Sequence, residues 1–439
     1  MNKCYLQIKE KLAQYPICEL AKQTGFQKRK PKKIEASDFV AGAFEAIQQG
    51  DLKAASIAKA ISYGKQRAVS RKAVDNKLSY RHEGFSRRLF GQALAQELQP
   101  SNHQGNSLFG FFKGVFVNDS SCLKMPENLS ELFPGPHSHT GRCATARIQL
   151  RMDLLNHQYS HIDIQSYRDN DQKYAAQLAG QAQAGDLNIF DLGYAVLGAM
   201  GKIAEKQAYF LCRHRFGTSL FQAGNGKQID LLKTLTGLHR RGINHMDWQA
   251  LLGAEKRLPA RVVAQRVPQR VYRQRLEKAL NDRHKKANHS KEYLQLLAWT
   301  ILITNVPKEV WRCSQAFKAY QFRWRIEIIF KCWKSKFQFQ HIFKAKRWAR
   351  PPAAMIFLYL ILAWLTMFFV PLYKLFLVRV WDKHQKWLSI FKFADMVKER
   401  FDEIMSDDSP ERLVDLAAYF CCYDKRKDRL NHLECLYMF

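Results

Sequence analysis

The stretch "AYQFRWRIEIIFKCWKS", residues 319–335, decides how the chain reads. Between Val310 and Trp381 the only acidic residue is Glu327, and it sits among Arg323, Arg325, Lys331, Lys334 and Lys336. At 100° per residue Tyr320, Arg323, Lys331 and Lys334 fall within about 40° of Glu327, on one polar stripe. Phe322, Ile326, Ile329, Trp333 and Phe337 gather on an adjacent face, so the predicted helix buries one side and presents one carboxylate on another. Glu327 could simply neutralise Arg323 and Lys331 through i,i+4 pairs, each worth a few tenths of a kcal/mol. That leaves the surplus cations unexplained. A phosphodiester held by the cations and a divalent metal held by Glu327 would account for both signs.

The whole chain supports a phosphate partner. Its 439 residues carry 70 Lys and Arg against 39 Asp and Glu, a formal net charge of +31. Phosphates bound to Lys and Arg release condensed counterions, so such an excess favours nucleic acid first and an anionic membrane second. The length allows roughly two to four domains. Ten scattered cysteines with no C-x-x-C pair suit reduced thiols rather than a secreted disulfide framework. Cys421, Cys422, His432 and Cys435 fit no common zinc spacing and read as free thiols. The first residues show no signal-peptide pattern. "PPAAMIFLYLILAWLTMFFVPLY", residues 351–373, is uncharged and long enough to span a bilayer, but Pro371 interrupts it. We read it as a core or subunit-interface helix, so no membrane is expected.

Along the chain, residues 1–105 read as helical and basic. An apolar-periodic helix ends at Gly64, and Ser70 can cap a short second helix bearing Arg71, Lys72, Asn76 and Lys77. A DNA-reading helix-turn-helix needs that arrangement, although any small helical bundle can resemble it. From 106 the pattern turns to strands. "LFGFFKGVFVNDSS" is an apolar run stopping at Asp119, "ATARIQLRMDLL" and "QYSHIDIQSY" pair as a hairpin, and "DLNIFDLGYA" ends a strand at Asp191. Strand and helix then alternate, which predicts a mixed α/β domain over 106–215. Residues 216–305 read as a β-rich insertion, 306–345 as the core's last helix, and 346–439 as a helical C-terminal part.

Asp119 and Asp191 both stand where an apolar strand gives way to an exposed edge. Converging carboxylates plus a substrate phosphate suit Mg²⁺, and two such ions can activate one oxygen and stabilise the leaving one. A strand-end Asp alone is more often a turn residue.

Tyr320-x2-Arg323-x3-Glu327-x6-Lys334 resembles the Tyr-Arg-Glu-Lys signature of the IS-four group of insertion-sequence transposases, and "NDSS" and "DLGY" look like that family's two catalytic aspartates. The resemblance covers most of residues 60–345. It implies a ribonuclease H-like mixed sheet with a β-rich insertion, and helical N-terminal DNA-binding and C-terminal domains. By the same resemblance Asp119, Asp191 and Glu327 would bind two Mg²⁺, with Mn²⁺ as a substitute, and Tyr320, Arg323 and Lys334 would contact phosphates near a cleaved transposon end. Lys331 joins them as a DNA-binding candidate. Trp299 sits where relatives place a base-stacking Trp, with core packing as the other reading, and Trp324 is a second stacking candidate. The resemblance further implies double-stranded DNA partners at transposon ends and target, a homodimer in the DNA complex, and a prokaryotic, cytoplasmic, nucleoid-associated location. A Mg²⁺-dependent nuclease or a domesticated, non-catalytic DNA-binding protein of the same fold is the alternative.

Overall fold

The computed structural model describes residues 3–29, 31, 33–97, 108–136, 142–282, 289–337, 339, 351–406 and 411–424. The tract that carries His432 and Cys435 lies outside them, while Cys421 and Cys422 are buried free thiols.

Ten strands form one continuous sheet among the described residues: β1 Gly114–Met125, β2 Ala144–Asp153, β3 Gln158–Ser166, β4 Asp186–Phe190, β5 Tyr209–Arg213, β6 Leu220–Gln222, β7 Gln228–Ile229, β8 His245–Leu252, β9 Leu258–Arg266 and β10 Trp299–Thr304. Their order is β3-β2-β1-β4-β5-β10-β9-β8-β6-β7. β2 is antiparallel to β1 and β3, whereas β1, β4 and β5 run parallel. This is the mixed α/β sheet the sequence led us to expect. Helices Asp171–Gln181 and Leu197–Glu205 supply its crossovers, the first capped by Asn170, whose side chain accepts from the Lys173 N–H at 3.1 Å.

Two readings need correction. β1 does not stop at Asp119: the residue pairs with Leu150 in the middle of the β1–β2 ladder. The apolar run ends there because the parallel neighbour β4 ends at that level, and β1 continues on its antiparallel partner alone. The 216–305 segment carries β strands, but part of what reads as strand in it is helix. β6 to β9 extend the core sheet through β10, which pairs with β5 on one side and β9 on the other. Helices Leu231–Arg240, Gln269–Leu280 and Lys291–Leu296 lie within it, and the last takes up the "YLQL" that reads as strand in the sequence.

The N-terminal helices, one face of the sheet and the C-terminal helices share a single apolar cluster. At its centre lies the uncharged segment, helical over Pro351–Trp364 and, after a π turn at Leu365–Phe369, running into the first turn of helix Val370–His384. Pro371 has no N–H to offer the preceding turn, and the wider turn just before it absorbs the mismatch. The apolar window of this helix is 100% buried inside the chain, so it is a core helix here, and its apolar surface is consumed internally.

Candidate active site

β1 and β4 bring two carboxylates together by register. The last parallel pair is Asn118 with Phe190, so the next residues, Asp119 and Asp191, stand at the same level on neighbouring strands. Parallel neighbours lie about 4.8 Å apart and equivalent positions face the same way. Asp191 leads into a tight turn, Leu192–Tyr194, and a Cβ at Gly193 would meet the Asp171 carboxylate at 2.9 Å. That close approach explains the glycine of "DLGY". Behind Asp119, its Oδ1 accepts the Ser120 N–H at 2.8 Å, and Arg147 donates to Ser120 Oγ at 2.9 Å and to Asp171 at 3.2 Å.

The third acid arrives on a broken helix. Helix Cys313–Gln321 gives way at Phe322 and Arg323 to helix Trp324–Lys336, where the expected single helix would have run straight. The N–H groups of Phe322, Arg323 and Arg325 donate three residues back rather than four, so the backbone tightens for one turn. Phe322, Ile326, Ile329, Trp333 and Phe337 are all buried, as the apolar face requires. Glu327 is half-buried, and Arg323 sits between it and β1: Nη2 donates to Glu327 at 2.5 Å and Nη1 to Asp119 at 3.2 Å. Arg323 is only 7% exposed.

The charges of Asp191 and Glu327 both reach Asp119. Burial pushes the Asp119 carboxyl up to about 7; the Ser120 hydrogen bond and Arg323 oppose this, and the charges of Asp191 and Glu327 add to it. Burial works against the Arg323 cation, but Asp191, Tyr320 and Glu327 outweigh it and its pKa is raised. The Tyr320 hydroxyl is raised by burial and by Asp191, and it has no hydrogen-bond partner among the described residues. Arg213, at the exposed end of β5, acts on Tyr320 as well. Sequence reasoning misses Arg213, which there is one more cation at a strand end.

Next to the acids a cavity of about 400 Å³ opens between the core and the insertion, lined by Leu192, Arg213, Phe216, His289, Tyr293 and Trp299 among others. Arg275 closes one wall, donating to the backbone oxygens of Leu297 and Trp299 and to Thr300 Oγ1.

The sequence profile of the transposase DDE domain family matches residues 110–365, more than half of the chain and all three acids. The chain belongs to the DDE transposase family. It is 25% identical over 263 residues to the transposase for insertion sequence element IS231E of Bacillus thuringiensis subsp. finitimus, covering 56% of this chain and 54% of that protein. It is 26% identical over 341 residues to the transposase for IS231B of B. thuringiensis subsp. berliner, covering 71% and 68%. The chain thus spans about half the length of the first of these relatives. A piggyBac transposase solved as a synaptic complex with hairpin DNA superposes with a TM-score of 0.44 at 10% identity, covering 97% of this chain and 87% of that one.

DDE transposases generally depend on divalent metal. The donor set here fits such an ion: it is all carboxylate oxygen, and like charge together with burial holds Asp119 uncomfortably as an anion. The acids do not form a closed ligand cage, since no group of three His, Cys, Asp or Glu among the described residues is close enough to hold a metal. Arg323 occupies that ground.

The other predicted contacts scatter. Lys331 is exposed and Lys334 half-exposed on the turns after Glu327. Trp324 is 48% exposed, with the Arg323 guanidinium 5.3 Å from its ring. Trp299 is 5% exposed, belongs to a second buried apolar cluster and also lines the cavity. Arg325 is buried away from the stripe, donating to the Tyr373 hydroxyl at 3.5 Å. Arg71 and Lys72 are exposed on helix Arg71–Asp75, capped by Ser70 as its sequence suggested; Asn76 is that helix's C-cap. Five residues make one turn, shorter than a groove-reading helix, and Arg71 pairs with Asp75 at 3.4 Å.

Proposed function

We propose that this chain is a DNA transposase that cuts phosphodiester bonds at the ends of an insertion sequence and joins the freed 3′-hydroxyl to target DNA. The observation that supports the reading is one buried arginine bonded to both Asp119 and Glu327, with Asp191 next in register beside Asp119. In this reading the three acids hold two divalent cations, Mg²⁺ or Mn²⁺, which supply charge neutralisation and an activated oxygen for in-line displacement. Tyr320, Arg323 and Lys334 bind the phosphates flanking the scissile bond, with Lys331 and Arg213 adding positive field from two sides. Trp324 offers an exposed ring to a base, and the cavity edged by Trp299, Phe216 and Tyr293 suits an unstacked one. The helices of residues 3–97 bring Arg71, Lys72 and Asn76 to the terminal repeat, and two copies hold the two ends. Such a protein works on DNA in the cell interior.

The test is the purified chain on DNA carrying the sequences that flank its own gene, with and without Mg²⁺. Cutting at the ends and insertion of a pre-cut end, both metal-dependent, are expected. Cutting without insertion makes it a nuclease, and binding without any metal-dependent cutting makes it a non-catalytic relative.

A further inference from the structure

The Arg323 side chain stands where its assigned task, holding a substrate phosphate, does not need it. Its two Nη atoms are spent on two acids of the candidate metal set, Asp119 and Glu327. Its Nε is buried and has no hydrogen-bond partner among the described residues. Like charges brought near one another in a site this buried repel, and one cation lodged between two of them offsets part of that cost. The same bonds keep Asp119 Oδ2 and Glu327 Oε1 pointed at a guanidinium, and no three acids among the described residues are gathered for an ion. The backbone supports this posture, because the tightened turn at Phe322–Arg323 sets Arg323 at the head of helix Trp324–Lys336, one turn before Glu327.

We propose that Arg323 is an internal counter-ion: in the metal-free protein it holds Asp119 and Glu327 as a matched pair, and divalent metal binds by displacing it. The inference rests on the reading of these acids as the metal set. Released from the carboxylates, the guanidinium is a planar fork free to take a phosphate bidentately, which also satisfies its unpartnered Nε. Metal loading and phosphate capture are thereby coupled through one side chain. The protein then resists filling its site with metal until DNA offers Arg323 another anion.

The experiment measures Mn²⁺ binding to the full chain by calorimetry, with no DNA present, for wild type, Arg323→Gln, Arg323→Lys and Asp119→Asn, alongside thermal melts in chelator and in Mg²⁺. With the competitor gone, Arg323→Gln should bind Mn²⁺ at least about tenfold more tightly than wild type. It should melt lower in chelator and recover more than wild type on adding Mg²⁺. Arg323→Lys keeps a point charge that can serve one acid at a time, and should fall between; it carries the test if Arg323→Gln does not fold. Equal or weaker Mn²⁺ affinity in the Arg323 variants, with Asp119→Asn still reducing it, overturns the counter-ion proposal and leaves the metal reading standing. Absence of Mn²⁺ binding in wild type and Arg323 variants alike overturns both.

Discussion

Asp119 and Arg323 lie 204 residues apart in the chain and meet at 3.2 Å over β1, an interior strand of the sheet. The contact exists only when β1 and helix Trp324–Lys336 are docked, and that docking is driven by the apolar side of the same helix, where Ile326, Ile329 and Trp333 enter the core. Packing on one face thus sets the charge geometry on the other.

Replacing Glu327 by Gln keeps the shape of the side chain and removes its charge. End cleavage should fall by more than about 10²-fold, the scale reached by disturbing outer-shell partners alone, while DNA binding in a gel-shift assay persists. Cleavage retained near wild-type rate would take Glu327 out of the site.

Trp333 is 1% exposed, and its Nε1 donates to the Tyr159 hydroxyl at 3.1 Å. Trp333→Ala should cost about 3–5 kcal/mol in denaturant unfolding, from the cavity and the orphaned hydroxyl together. Trp333→Phe should cost less, since most of the volume stays. A loss under about 1 kcal/mol for the Ala variant would mean that this helix is not anchored as described.

His157, in the β2–β3 turn with φ of 52°, is a buried base. Burial, then the charges of Arg325 and Lys374, lower its pKa from 6.5 to about 3. The unfolded chain therefore takes up a proton between those values while the folded one does not, and stability is complete above 6.5 and lost as pH falls towards 3. His157→Asn tolerates the positive φ and removes the titration. Its melting temperature should decline less steeply than that of wild type from pH 7 to 4, and parallel curves would refute the assignment.

Arg71 and Lys72 are both exposed. Changing both to Ala should leave the melting temperature unchanged, weaken end binding, and reduce the slope of log K against log salt by up to about 2 if each meets a phosphate. An unaltered slope and footprint would remove this one-turn helix from the DNA interface.

Much of the site was legible in sequence because it is built from local regularities. The Arg323–Glu327 pair is an i,i+4 contact, the Ser70 cap is a three-residue relation, and an acid closing an apolar run marks a strand leaving its neighbour. Other features had no such signal. The side of the stripe on which Arg325 falls, the burial of Trp299 and the contribution of Arg213 depend on elements far away in the chain.

Residue type and short-range spacing determined that the chain carries apolar runs closed by aspartates, a half-buried cationic helix with one carboxylate, and a long uncharged apolar segment. These follow from backbone periodicity, which acts within a few residues. Tertiary structure alone decided that β6 to β9 prolong the core sheet, that the apolar part of the 351–384 helix is buried inside the molecule, and that one arginine stands between two of the acids. Those outcomes depend on hydrogen-bond edges and apolar faces finding partners hundreds of residues away, and on like charges in a buried place needing a counter-ion, which no local pattern encodes.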